Sequence, residues 1–109
     1  MRTFDPGAFS ARLDLLEPVL VSDGQGGATE SFSKIAELWA RIEPVSISFT
    51  EEANGAVFRL THKVWMRRRD DLAPGMRFGR RGRIFKINGW RDPDETGRYL
   101  VCSCEEVDP

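Results

Sequence analysis

The run from Val57 to Arg68 alternates with a period of two. Phe58, Leu60, His62, Val64 and Met66 fall on one side, and Arg59, Thr61, Lys63, Trp65 and Arg67 on the other. A helix, with 3.6 residues per turn, would scatter these residues around its axis, whereas a strand sorts them onto two faces. The segment is therefore read as a strand with a core face. The same reading applies to residues 29–45, where Leu38, Ala40 and Ile42 share one face and Trp39, Arg41 and Glu43 the other, with Pro44 marking the strand's end. A first strand is expected over 10–20, with Leu13 and Leu15 together and Pro18 limiting its regularity. Residues 76–78 start a further strand. Phe85 and Ile87 define another over 83–90, and Leu100, Cys102 and Cys104 face inwards from a last one over 98–107.

Turn-forming residues separate these runs: Asp23-Gly24-Gln25-Gly26-Gly27, Asp70 to Gly75, the tight tip Gly79-Arg80-Arg81-Gly82, and Asp92 to Gly97. The stretch 46–56 has a different character. Ser48 or Thr50 suits a helix cap, Glu51 and Glu52 suit its first turn, and Asn54-Gly55 suits its end, so a short helix or a long loop is expected between strands 2 and 3. Five or six strands with short turns imply a mostly β fold. A small antiparallel β-barrel is the economical form, because closure removes edges. Its core is expected to contain Leu38, Ile42, Leu60, Val64, Phe85, Ile87 and Leu100. The 109 residues make one domain over 1–109, with 1–8 a loose N-terminal arm.

Motifs of chemistry are few. The glycines of 24–27 lack the lysine of a phosphate-binding loop and the spacing of a dinucleotide fingerprint, so they read as a hairpin loop. Cys102 and Cys104, two residues apart on one strand, are poorly placed for a disulfide and read as buried free thiols. With only two cysteines and one histidine, a zinc site is not expected. His62 sits on an apolar strand face without a nucleophile motif, which favours a core imidazole with a satisfied hydrogen bond over a catalytic base. The acidic pairs Glu51-Glu52 and Asp94-Glu95 lie on expected loops, and adjacent side chains seldom converge on one metal. No enzymatic activity, metal or cofactor is expected. No apolar run is long enough to span a membrane, and the N-terminus lacks a secretory pattern, so synthesis in the cytoplasm is expected.

Charge is segregated. Of 16 basic and 17 acidic residues, 4 and 9 precede Gly55, leaving 12 and 8 after it. The basic excess centres on Arg67, Arg68 and Arg69 and on Arg80, Arg81 and Arg83. Three readings fit: a solvated surface, a contact with an acidic neighbouring subunit, or a contact with a nucleic-acid backbone, since the guanidinium fork suits carboxylate and phosphate alike. Neither a recognition helix nor a clear stacking platform accompanies them.

The order of these pieces resembles that of the phage head–tail joining proteins, also called head closure or stopper proteins, over nearly the whole chain. The residues that carry it are Arg12-Leu13, Asp23 to Gly27, Leu38-Trp39-Ala40-Arg41-Ile42-Glu43-Pro44, Thr61-His62-Lys63-Val64 leading to Arg67-Arg68, and Pro74-Gly75-Met76-Arg77-Phe78. Gly82-Arg83-Ile84-Phe85-Lys86-Ile87 and Pro93-Asp94-Glu95 leading to Leu100-Val101-Cys102 complete the series. The N-terminal arm is longer than usual, and Trp65-Met66 stands where smaller or β-branched residues are common.

The resemblance implies a structural particle-assembly protein of a phage, prophage or gene transfer agent. It implies a homo-oligomeric ring below the portal–adaptor ring, closing the channel on packaged DNA and presenting a docking face to the tail terminator protein. Assembly would begin in the bacterial cytoplasm and end in the neck of the particle. The segment between strands 2 and 3, with Ile47, Phe49, Thr50, Glu51, Glu52, Asn54 and Gly55, would be the channel-closing element; the alternative is a surface helix that packs between neighbouring copies. Alone, a chain with 30% charged residues is expected to be a monomer or weak oligomer. The alternative is a small β-barrel that binds nucleic acid through its arginines.

Overall fold

A computed structural model describes residues 9–51 and 57–107. Its elements are β1 (Ala11–Ser22), β2 (Ala28–Glu51), β3 (Val57–Arg67), β4 (Arg77–Arg80), β5 (Arg83–Arg91) and β6 (Tyr99–Val107). All neighbours are antiparallel, and the sheet closes on itself in the order β1-β2-β3-β6-β5-β4. The expected small antiparallel barrel is thus the observed fold, with six strands and no helix among the described residues.

Alternation builds the core. Leu13 and Leu15 from β1, Leu38 and Ala40 from β2, Val64 and Met66 from β3, Phe78 from β4, Phe85 and Ile87 from β5, and Leu100, Cys102 and Cys104 from β6 point into one interior. Of the expected core, Leu38, Val64, Phe85, Ile87 and Leu100 are buried, while Ile42 and Leu60 are half-buried. Both lie where β2 and β3 begin to leave the barrel. The β4–β5 tip is a two-residue turn in which Arg81 (φ 49°) and Gly82 (φ 80°) are both left-handed. That twist matches the twist of the flanking strands, and it suits glycine far better than arginine. Gly79 on β4 allows a close approach, because a Cβ there would stand 3.3 Å from Leu16 Cδ1.

The main departure from expectation lies in β2. Pro44 does not end it; the strand continues to Glu51 and totals 24 residues. Instead of a helix, the segment pairs with β3 through Ser48↔Leu60, Phe49↔Arg59, Thr50↔Phe58 and Glu51↔Val57, after a register shift between Pro44 and Ser48. Local cap signals lose here to the inter-strand ladder. Proline is tolerated because β1, whose register starts at Ala11↔Ala40, does not reach that far, and among the described residues no strand pairs with that side of β2. Residues 52–56, which include Glu52, Asn54 and Gly55, lie outside the described residues, as does the expected arm 1–8.

Two ribbons consequently extend from the barrel. β1 and β2 pair as far as Ser22↔Ala28 at one end, and β2 and β3 pair as far as Glu51↔Val57 at the other. They account for a molecule 54 Å long and 31 Å by 24 Å across.

Candidate functional site

The β2–β3 ribbon presents the sharpest conflict with ordinary surface chemistry. Ile47 is 61% exposed, Phe49 73% and Val57 63%. Phe49 stands directly opposite Arg59, two rungs from Val57 on the same face. Phe58 and Leu60, on the other face, are half-buried. Large apolar side chains clustered on a two-stranded extension mark a contact surface rather than a core.

At the root of this ribbon β3 parts from β6. Their register ends at His62↔Cys104. Beyond it, the Glu106 N–H donates to Thr61 Oγ1 at 2.7 Å, and Thr61 Oγ1 lies 2.8 Å from His62 Nδ1. Arg83 reaches across from β5. Its Nε and one terminal nitrogen donate to the two Glu106 carboxylate oxygens at 2.8 and 3.1 Å, and its guanidinium lies over the Phe85 ring. The Arg83 hydrogen bond holds the Glu106 carboxyl below its ordinary pKa, and the same bond raises that of Arg83. Burial lowers the pKa of His62, with a raising pull from Glu106 and a lowering push from Arg83. The imidazole stacks edge-on against Phe85 at 5.1 Å between ring centres. His62 is therefore a mostly buried, hydrogen-bonded imidazole.

The arginines singled out from sequence fall into two groups. Arg67 pairs with Tyr99 at the start of β6, whereas Ile84, beside Arg83, pairs with Val107 at its end. About 26 Å of strand separates those two rungs. At the first end, Arg68 pairs with Asp70 at 3.2 Å and Arg69 with Asp71 at 2.8 Å, while Arg67 is exposed. At the other end lie Arg80, Arg81 and Arg83, beside the root of the β2–β3 ribbon. Arg80 and Arg81 have no ion-pair partner among the described residues. The runs thus do not form one basic patch.

The thiols sit in the core. Burial pushes the Cys102 pKa up to about 12 and that of Cys104 well above its ordinary value. No group of three His, Cys, Asp or Glu side chains suited to a metal ion occurs among the described residues.

Sequence reasoning missed two features. Thr61 and Glu106 belong to different strands, and only the closed topology joins them. Trp39 was correctly set on the outer face, but nothing in the sequence showed that it stands 55% exposed with the Arg12 guanidinium 5.7 Å from its ring centre.

Residues 4–107 match the phage head completion protein family. This chain belongs to that family. It is similar to a chain in the virion of a native gene transfer agent particle, with 30% identity over 92% of this chain and 96% of that one, at a TM-score of 0.65. The solution structure of protein SF1141 from Shigella flexneri 2a shares the fold at 24% identity and a TM-score of 0.67, covering 94% of this chain and 96% of that one. No curated protein sequence matches. The head completion protein is a β-rich structural component of a phage or gene-transfer-agent particle, and the resemblance noted from sequence holds at this level.

Proposed function

We propose that this head completion protein forms a ring beneath the portal–adaptor complex and closes the DNA channel with its β2–β3 ribbon. The carrying observation is that ribbon: a hydrogen-bonded extension bearing exposed Ile47, Phe49 and Val57 and projecting beyond the barrel. An isolated barrel gains nothing from holding these side chains in water. Several copies converging on a ring axis would bury them against one another, at roughly 25 cal/mol for each Å² covered. Closure would thus be steric and apolar. The segment 45–56 carries Glu51 and Glu52 and no basic residue, so it would not grip the phosphate backbone of DNA that must later pass. Opening then requires only the ribbons to move while the barrels stay fixed.

The arginine tip beside the ribbon root would serve contacts around the ring rather than the channel. The opposite end, with Arg67, Arg68 and Arg69, would meet a neighbouring subunit, the adaptor or the tail terminator. Deleting residues 50–54 tests the closure. The expected result is heads that still acquire the protein but lose their DNA. Heads that keep their DNA would remove the ribbon from this role.

A further inference from the structure

A second surface lies beside the ribbon root. Between β1, β2 and the β4–β5 tip lies an open hollow lined by Arg12, Asp14, Glu37, Trp39, Arg80 and Arg81. The acidic residues in it are already engaged, Glu37 by Arg12 and Lys34 and Asp14 by Lys34 at 3.4 Å. Among the described residues, Arg80 and Arg81 are left without a carboxylate, next to an exposed tryptophan. Trp and Arg are the residue types on which binding energy concentrates at protein interfaces.

The same barrel carries the complementary piece. The loop joining β5 to β6 holds Asp92, Asp94 and Glu95. Asp92 and Asp94 brace it by accepting backbone N–H groups of Asp94, Thr96 and Gly97. Glu95 projects from it, exposed, with φ 58°. Arg81 and Glu95 are the two non-glycine residues with left-handed φ among the described residues. Each holds a long charged side chain where glycine or asparagine would cost less. The β4–β5 tip precedes β5 (Arg83–Arg91) and the 92–97 loop follows it, so the two lie at opposite ends of that strand, about 26 Å apart along it. The basic hollow and the acidic loop therefore cannot meet within one chain. They can meet between chains.

We propose that the hollow is the socket for the 92–97 loop of a second copy of this chain, with Glu95 seated against Arg80 and Arg81 beside Trp39. This deepens the ring reading and rests on it. A socket at one end of the strands and its plug at the other make a heterologous, head-to-tail contact, which closes into a ring when the rotation per copy permits. A nucleic-acid strand fits the hollow less well. Its continuous row of phosphates would have to pass Asp14 and Glu37, whereas a single projecting carboxylate reaches the arginines alone.

The test uses assembled particles carrying Arg81→Cys and Glu95→Cys together, treated with a short bismaleimide. The native cysteines are buried and do not compete. A ladder of covalent multimers is expected, and neither single variant should give one. Arg80→Glu with Arg81→Glu should reduce incorporation at least tenfold, and adding Asp94→Arg with Glu95→Arg should restore it. If an amine-reactive cross-linker yields multimers but the thiol pair yields none, the ring stands and this interface falls. If neither yields multimers, both fall. If the arginine reversal leaves incorporation unchanged yet abolishes retention on single-stranded DNA, the hollow is a nucleic-acid groove and the proposal is overturned.

Discussion

Thr61 and Glu106 share the hydrogen bond at which β3 is released from the barrel. The Glu106 N–H, which would otherwise need a backbone carbonyl from β3, donates to the Thr61 hydroxyl at 2.7 Å. One side chain thus closes the ladder and lets the strand continue outward as half of the ribbon. Thr61→Val keeps the shape and removes the acceptor. Leaving a largely desolvated N–H unpaired is expected to cost about 1–3 kcal/mol in chemical denaturation. Thr61→Ser should retain most of the stability, and a valine variant as stable as the parent would show that water replaces the hydroxyl.

Phe85 is fully buried and touches the His62 ring. Phe85→Ala is expected to lower unfolding stability by about 3–5 kcal/mol, from lost transfer energy plus the cavity left behind. Parent-like unfolding would mean that the barrel collapses onto the space without penalty.

His62 sets a pH dependence whose sign follows from its depressed pKa. The fold disfavours the charged imidazole, chiefly by desolvation. In the unfolded chain the ring takes up a proton near its ordinary pKa of about 6.5. Below that value the unfolded state binds more protons, so stability falls as pH drops, until the folded-state pKa is reached. Denaturation midpoints at pH 7.5 and 5.5 should differ in the parent and differ less in His62→Gln. Equal pH dependence in both would assign the effect to other groups. Loss of the Glu106–Arg83 pair belongs to a lower window, because the lowered Glu106 pKa places its contribution above about pH 4.5 and removes it as pH falls further.

Cys102 and Cys104 are free and buried. With the Cys102 pKa pushed up to about 12, almost no thiolate exists at neutral pH. Both should resist a thiol-reactive dye in the native state and react at once in denaturant. Rapid labelling of the native protein would mean that β6 opens readily.

Much of the barrel was legible because strand alternation is a local property. β3 shows it without interruption from Phe58 to Met66, and Cys102 with Cys104 showed their shared direction from spacing alone. The β4–β5 tip was legible from Gly79-Arg80-Arg81-Gly82, although its turn centres on Arg81 and Gly82. The 46–51 stretch was not. Its Ser, Thr and Glu residues carry helix-start chemistry, and only the rungs to β3 overrule that preference. Pro44 read as a terminator because the sequence does not reveal that the neighbouring edge is open. The arginines of 67–69 and 80–83 read as one basic region because they are close in sequence, yet β6 runs its length between their levels. Pairings such as Thr61 with Glu106 depend on β3 meeting β6, which no local pattern encodes.

β2 is a single strand common to both ribbons. In mechanical terms it is a tie rod. A pull on the β1–β2 turn passes along one covalent backbone to the β2–β3 ribbon, crossing no loop and only the register shift between Pro44 and Ser48. The ladders that β2 makes with β1 and β3 run parallel to that load, so their hydrogen bonds are strained together in shear rather than unzipped in turn. The two ends of the barrel are therefore joined by one continuous strand rather than through a loop.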